Sequence, residues 1–329
     1  MRICFLDKTK FQYNSKSLYT DVLRGAESIL INLSHALHKL GHNITIINNC
    51  PKNENINGIN WININSNIQV DNYDLVISNG NCNYFKFANS SKRILFSHSI
   101  QSIEKFIRKG QLLSYLKYKP KICFISNYHR NKRSKLITLF GSIDLRWSVD
   151  DIFLKTVLNN DMDKNLAIFT SRPDRNLNLL IDIWNKFIFQ KDKNLKLIVT
   201  DNNFENLVMS NNIFKRKLTN QRILINDLLK ARVFLIPGHK SELFCLAAEE
   251  ARELCIPIVT LGIGCLSERV EHEKSGFVAK NQAEFGKYTL KLFQDDDLWK
   301  KMRNHLIEKR GQRNWSNVAN NLISIIKNV

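Results

Sequence analysis

Short, unbroken apolar runs recur along this chain, each followed by a stretch whose apolar residues fall at helical spacing, and the scheme runs twice. In the first half the runs are residues 2–6, 43–47, 74–77, 93–96 and 121–125; in the second they are 166–169, 195–199, 231–237 and 257–261. A run that is apolar without alternation marks a strand buried on both faces, as parallel sheets require. Between the first two runs, Ala26, Ile29, Leu30, Leu33, Ala36, Leu37 and Leu40 share one helical face, and Gly41-His42 is the stop signal. Residues 177–187 and 243–254 read as helices of the second half. The expectation is therefore an α/β protein of two doubly wound parallel-sheet domains. At 329 residues the chain fits two domains of about 150 residues each. No internal repeat or low-complexity linker marks the joint; the Asp- and Asn-rich stretch 149–163 is the best candidate. This predicts an N-terminal domain over 1–150, a C-terminal domain over 151–312, and a closing helix over 313–329 that packs back on the first domain.

Composition excludes several classes. With 43% hydrophobic and 24% charged residues the chain is an ordinary globular sequence. No segment approaches the roughly 18 apolar residues of a membrane span, and the N-terminal run meets Asp7-Lys8 before a signal-peptide core can form. These features predict a cytoplasmic protein. The seven cysteines, Cys4, Cys50, Cys82, Cys123, Cys245, Cys255 and Cys265, are an odd number without C-x-x-C spacing, and they read as reduced core thiols rather than a disulfide framework or zinc site.

The formal net charge is +19. Such an excess seeks phosphate, whether on nucleic acid, an anionic membrane face or a phosphorylated substrate; it also fits a compositional background rich in Asn, Lys and Ile. The basic residues read as partly diffuse, with clusters at 117–121, 129–133 and 215–217. Association with anionic lipid is the most economical use, at about 1 kcal/mol per basic residue near the surface.

Two glutamates at the three-quarter point stand apart. On a helical wheel over 243–254, Leu243, Leu246, Ala247, Ala251 and Leu254 form one stripe, with Glu250 in its middle and Glu249 and Glu253 turned to solvent. A carboxylate within an apolar stripe needs hydrogen-bond donors, supplied either by ligand hydroxyls or by a buried Arg or Lys. Ligands of doubly wound sheets bind beyond the carboxyl ends of the strands. That rule nominates the loop 7–25, Ser97-His98-Ser99, residues 170–175 and residues 262–266.

These residues carry a family likeness. Glu242-x-Phe244, then Glu250-Ala251, then Pro257-Ile258-Val259 resembles the E-x7-E signature of the large retaining glycosyltransferase family with two Rossmann-like domains facing a central cleft, the GT-B fold. The stretch from Gly264-Cys265-Leu266-Ser267-Glu268 to Gly276-Phe277-Val278 resembles that family's G-G-x-P-E-x-V-x-x-G-x-x-G-x-x-V segment. Arg24-Gly25-Ala26-Glu27 is similar to its G-G-A-E segment, and Ser171-Arg172-Pro173-Asp174-Arg175 to the segment bearing a basic pair.

The resemblance implies transfer of a sugar from a UDP-, GDP- or ADP-sugar to a hydroxyl acceptor with retention of configuration, without metal or cofactor, in envelope polysaccharide, lipopolysaccharide or glycolipid synthesis. It assigns Arg172 and Arg175 to the diphosphate, whose departing charge a guanidinium fork can meet. Glu250 goes to the ribose, Glu242 to the donor sugar, and His98 to the sugar or the incoming hydroxyl. The amides of Gly264, Cys265 and Leu266 are expected at a helix start beside the phosphates, with Gly25, Ser171 and His239 nearby and Glu268 either on the donor side or exposed. Ser126 is read first as a helix cap. Expected partners are the nucleotide sugar, a glycan or lipid-linked acceptor and an anionic inner-membrane face, with no nucleic acid. Departures from the family pattern are Cys245 and Cys255 where Gly is usual, Cys265 in the phosphate loop, and a closer spacing of the basic pair. A catalytically silent subunit, a nucleotide-sugar epimerase and a nucleic-acid-binding protein are the rival readings.

Overall fold

The computed structural model describes residues 1–20, 23–158, 161–201 and 211–327. Parts of the loop 7–25, of the stretch 149–163 and of the closing helix 313–329 therefore lie outside the described residues. The chain divides into two units, one of Met1–Ser148 with Arg313–Val329 and one of Val149–Gln312.

The first unit holds eight strands: β1 (Arg2–Leu6), β2 (Asn43–Asn48), β3 (Glu54–Ile56), β4 (Ile59–Asn63), β5 (Leu75–Asn79), β6 (Arg93–Phe96), β7 (Lys121–Phe124) and β8 (Ser142–Asp144). Their order is β3-β4-β2-β1-β5-β6-β7-β8, and every pairing is parallel except β3 with β4. The second unit holds β9 (Asp163–Phe169), β10 (Lys196–Asp201), β11 (Ile213–Lys217), β12 (Ala231–Leu235), β13 (Ile258–Thr260) and β14 (Gly276–Val278). These run in the order β11-β10-β9-β12-β13-β14, parallel throughout. The continuous apolar runs sit in the middle of each sheet, where both faces are covered: Cys4, Leu6, Val76, Leu95, Ile122 and Phe124 belong to one buried cluster.

The first amphipathic helix spans Gly25–Lys39 and buries Ile29, Leu30, Leu33, Ala36 and Leu37. It closes with the glycine that the sequence offers: Gly41 takes φ +84, its amide donates to His38 O at 2.9 Å and that of His42 to Leu37 O at 3.2 Å. Those two bonds are the pattern of a left-handed helix stop. The helix Trp315–Lys327 packs against it. Ser126 caps the helix Asn127–Lys132 by accepting the His129 amide at 3.0 Å. All seven cysteines are buried and free. Among the described residues, no helix is long and apolar enough to cross a membrane.

Five strands, β3, β4, β8, β11 and β14, were absent from the apolar-run reading, and each sits at or next to a sheet edge. An edge strand need not be apolar on both faces, so β11, Ile-Phe-Lys-Arg-Lys, does not look like its neighbours. The expected helix 177–187 is α-helical over Leu177–Ile183 and continues as a π-turn over Trp184–Ile188.

Candidate active site

In the second unit, the chain runs from β9 outward through β10 to β11, then returns to the other side of β9 for β12 onward. The strand order thus reverses between β9 and β12, the place beyond whose strand ends doubly wound sheets take their ligands. Residues 170–176 leave β9 and 236–245 leave β12, and polar contacts bridge the two loops. Arg175 Nε donates to Glu242 Oε1 at 2.9 Å, while Asn176, held at φ +66, donates Nδ2–H to Gly238 O at 2.5 Å. The Glu242 side chain is only 12% exposed; burial raises its pKa, and Arg175 and then Arg172 oppose that rise. Arg175 also reaches Asp174 Oδ2 at 3.2 Å, and Arg172, 59% exposed, meets the same oxygen at 3.2 Å. Ser171, Arg172 and Arg175 are thus gathered on one loop, with Arg175 committed to Glu242. His239 is half-buried; its carbonyl accepts the Glu242 amide at 2.9 Å and its Nδ1 accepts the Ser241 amide at 3.1 Å.

The loop after β13 lies against the loop after β12. Gly238 and Ile263 form a parallel bridge, and the Cys265 amide donates to Glu242 O at 3.0 Å. Gly264 sits at φ +77 with its backbone against this seam: a Cβ there would lie 2.4 Å from His239 O and 2.9 Å from Glu242 O. The expected helix start is corrected here. Residues Leu266–Glu268 make a single 3-10 turn, and the Cys265 amide already has its partner, so only the Gly264 and Leu266 amides remain as candidates for an anion. Cys265 and Leu266 are fully buried, and burial pushes the Cys265 thiol up to about 12. Glu268 is half-buried rather than exposed.

The helix carrying Glu250 differs from its wheel. It spans Leu246–Glu253 and opens on Cys245 in the left-handed region, φ +62. Leu243 is therefore not on the helix. In the structure Ala248 and Ala251 are buried, and so are Glu249, 2% exposed, and Glu253, 1% exposed. Both carboxylates expected in solvent lie inside, and arginines accompany them. Glu249 accepts Arg252 Nε at 3.0 Å and Arg269 Nη1 at 2.9 Å, and Arg269 stacks over Phe244 at 4.4 Å. Glu253 accepts Arg252 and the Gly311 amide, the latter at 2.8 Å. Leu246, Ala247 and Glu250 share the half-buried face. Among the described residues, no side chain hydrogen-bonds or ion-pairs with Glu250. Burial, reinforced by Asp150 and opposed by Arg216, raises its pKa to about 7. Asp150 caps the helix Asp151–Lys155, and Arg216 is held by Asp227 at 2.9 Å and by Thr200 and Thr219. Sequence reasoning gave no site role to Asn176, Asp150, Arg216 or Arg269, although Arg216 belongs to the basic cluster 215–217; for Asn176 the left-handed habit of Asn offered a signal.

In the first unit, the reversal lies between β1 and β5. Asp7 follows β1; it is buried, accepts Tyr13 Oη–H at 2.6 Å and the Lys8 amide at 2.9 Å, and burial raises its pKa. His98 follows β6, hydrogen-bonds Asn79 Oδ1 through Nε2 and packs on Trp147 with ring centroids 5.1 Å apart. Burial, with His129 as a lesser cause, lowers its pKa to about 4, so the ring is neutral near pH 7. With Asn79 Oδ1 as acceptor, the proton sits on Nε2 and Nδ1 keeps its lone pair. Gly25 is the first residue of its helix, after Arg24 as cap. Among the described residues, no group of three or more His, Cys, Asp or Glu side chains is placed to hold a metal ion.

Two parallel sheets with these strand orders make an α/β protein of the GT-B type, and solved GT-B glycosyltransferases share the build at low identity. WaaG, a glycosyltransferase involved in lipopolysaccharide biosynthesis, has a TM-score of 0.69 at 10% identity, with 98% of this chain and 99% of that one covered. HepE from Anabaena, solved in complex with UDP and glucose, gives 0.72 at 14% identity with both chains covered in full. Sucrose-phosphate synthase from Thermosynechococcus elongatus gives 0.71 at 13% identity, covering 99% and 98%. A search of curated protein sequences finds no match. Residues 150–313, the second unit to within one residue at each end, match the sequence profile of the glycosyl transferases group 1, and through this unit the chain belongs to that family. It is thus a member of a family of sugar-transferring enzymes.

Two stability measurements follow from this geometry. Arg269→Ala takes one of its arginines from the buried Glu249, and unfolding titrations should show a loss of about 3–5 kcal/mol; a loss under 1 kcal/mol would remove the pair from the support of this helix. Glu250 works in the opposite sense. Its folded pKa lies above its unfolded one, so the folded state binds more protons and stability declines as pH rises from about 4.5 to about 7. Glu250→Gln lacks that decline and should gain on the wild type between pH 5 and pH 8, by about 1–3 kcal/mol; parallel curves for the two proteins would show that the carboxyl is not desolvated.

Proposed function

We propose that this protein moves a sugar from a nucleoside-diphosphate sugar to a hydroxyl acceptor with retention of anomeric configuration, in envelope polysaccharide, lipopolysaccharide or glycolipid synthesis at the inner face of a membrane. The observation that carries the reading is Glu250, a carboxylate with a raised pKa and no partner among the described residues, on the helix that follows the reversal strand β12. One carboxylate accepts two hydrogen bonds from vicinal hydroxyls, and a ribose supplies that pair.

The remaining roles follow from chemistry and position. The Arg172–Asp174 pair is exposed; such pairs are worth about 0–1 kcal/mol, so a diphosphate displaces the carboxylate readily. Arg172 then meets one phosphate while Arg175, fixed by Glu242, meets the other, and together they stabilise the charge that develops as the nucleoside diphosphate leaves. Glu242 keeps one oxygen for Arg175 and offers the other to a hydroxyl of the donor sugar. The Gly264 and Leu266 amides face the same charge, with Ser171 and His239 at the margin. Neutral His98 offers a lone pair at Nδ1 and so accepts a hydrogen bond from a sugar hydroxyl. Attack on the same face as departure lets the leaving phosphate take the acceptor's proton and keeps the configuration. HepE, of the same build, was solved with UDP, which makes UDP the first nucleotide to try.

Three readouts test this. UDP should raise the melting temperature of the protein, and Glu250→Ala should abolish the rise and reduce turnover roughly a hundredfold; an unaffected rate would count against the assignment. Because hydroxyl donors favour the ionised carboxyl, UDP binding near pH 7 should release protons, seen as a dependence of the calorimetric heat on the buffer's ionisation enthalpy; proton uptake or no linkage removes Glu250 from the ribose. The anomeric coupling constant of the product, read by NMR against that of the donor, should be unchanged, and inversion would discard the same-face mechanism.

A further inference from the structure

Between residues 101 and 140 the chain carries ten Lys and Arg and a single acidic residue, Glu104, a net of +9 out of the total +19. Close to half of the excess charge thus lies in about an eighth of the sequence, the stretch that holds the basic clusters 117–121 and 129–133. The same segment holds five of the large apolar side chains that the fold leaves in solvent: Leu113 is 82% exposed, Leu136 and Leu139 are each 68%, and Ile107 and Leu116 are 59% and 44%.

These side chains share one side of a connected layer. The helices Ile103–Arg108 and Leu112–Tyr118 and the turn Lys135–Thr138 each turn a residue inward, Phe106, Tyr115 and Ile137, and all three enter the same buried cluster. Tyr115 Oη–H donates to Ile137 O at 2.9 Å, and its ring lies 5.0 Å from that of Phe140, so the second helix and the turn are neighbours. With the inner sides fixed, Leu113, Leu116 and Lys117 form an outward stripe at positions i, i+3 and i+4. Leu136 and Leu139 project together from the turn, because side chains three apart eclipse in a 3-10 helix. Arg108, Lys109, Lys117, Lys119, Lys132 and Lys135 are exposed around them.

We propose that this face is the surface by which the protein lies on an anionic lipid bilayer, the leucines entering the headgroup boundary and the lysines and arginines meeting lipid phosphates. Aliphatic side chains ringed by cations suit a lipid interface, where apolar burial and attraction to anionic headgroups act together. Nucleic acid makes no comparable use of exposed leucines, since its backbone offers only charge. The inference deepens the proposed function and rests on it for its biological sense, because an enzyme acting on membrane-anchored acceptors gains by residing where they are.

The test uses the full chain and is independent of sugar transfer. Co-sedimentation should show binding to vesicles of phosphatidylcholine and phosphatidylglycerol in equal parts, and little to phosphatidylcholine alone. The charge reversals Lys109→Glu, Lys117→Glu and Lys135→Glu combined should weaken binding by roughly tenfold or more at low salt. Leu113→Ser with Leu139→Ser should weaken it too, and this residual loss should persist in high salt, where Coulombic attraction is screened. These sites are exposed, so melting temperatures and the UDP-induced shift should match the wild type, separating a failed membrane face from a failed donor site. Equal vesicle binding by wild type and all variants overturns the proposal. So does binding to duplex DNA that the reversals abolish while vesicle binding is absent, which would hand the face to nucleic acid.

Discussion

The second unit depends on two loops that leave neighbouring strands and then bond to each other through their main chains. Gly238 bridges Ile263, the Cys265 amide reaches Glu242 O, and Gly264 is packed so that a methyl group would collide with two carbonyl oxygens. Main-chain bonds of this kind fix Glu242 without any ligand, and the buried Arg175 contact follows from where the carboxylate has been put. A group held in this way loses little freedom when a substrate arrives, and that pre-organisation lets a modest set of hydrogen bonds stabilise a developing charge. The first unit places Asp7, Asn79 and His98 at its own reversal of strand order by the same topological logic, with hydrogen bonds from the strand ends holding the side chains in place of a seam between loops.

Central strands were legible because burial on both faces writes itself as an unbroken apolar run, and two sets of such runs gave two parallel sheets. Edges were not, because an edge strand answers to solvent on one side; β11 spends three of its five residues on Lys and Arg. The hairpin of β3 and β4 is a different case. Its turn, Asn57-Gly58, takes φ +52 and φ +81, the pair of left-handed residues that a tight hairpin demands, and Ile-Asn-Gly-Ile announces it in the sequence. An apolar-run criterion passes over that signal because the strands are short and half polar. β14 has three residues, and a Cβ on its Gly276 would come within 2.0 Å of Ile258 O; nothing in a local pattern reveals so close an approach.

The helix bearing Glu250 shows where apolar periodicity misleads a side-chain argument. Periodicity assumes that the helix is continuous through every residue on the wheel, and Cys245 in the left-handed region breaks it one residue before Leu246. The wheel fails because it takes apolarity for burial: Leu246 and Ala247 lie with Glu250 on the half-buried face, while Glu249 and Glu253 go inside with arginines as partners. The departures from the family pattern held the missing information. Where the family pattern that the sequence resembles has Gly, this chain carries Cys245 at φ +62 and Cys255 at φ +58, and a side chain in that region costs about 1–2 kcal/mol. Cys255 sits just past the helix end, with the amides of Cys255 and Ile256 bonded back to Arg252 and Ala251 at 3.0 Å each, a stop that normally recruits glycine. Both positions thus mark the ends of the helix more sharply than its apolar residues do. Cys265, the third departure, lies at φ −84, where a side chain carries no such cost.

In a chain with nineteen surplus positive charges, the second unit leaves the Glu250 carboxyl without a cation bound to it among the described residues, and that is informative in itself. Three other glutamates of the second unit, Glu242, Glu249 and Glu253, have an arginine within hydrogen-bonding distance, so the fold has cations to spare and the means to place them. Surface lysines do not relieve Glu250, since their field is screened by water and salt over about 10 Å and their own hydration keeps them outside. A single Lys or Arg on a facing position would lower the free energy of the folded state by pairing with it. Natural sequences tolerate a locally destabilising group mainly where function needs it, and a partner that comes and goes is the physical alternative to one built into the chain. The unpaired carboxyl therefore says less about how this protein folds than about what it is folded to receive.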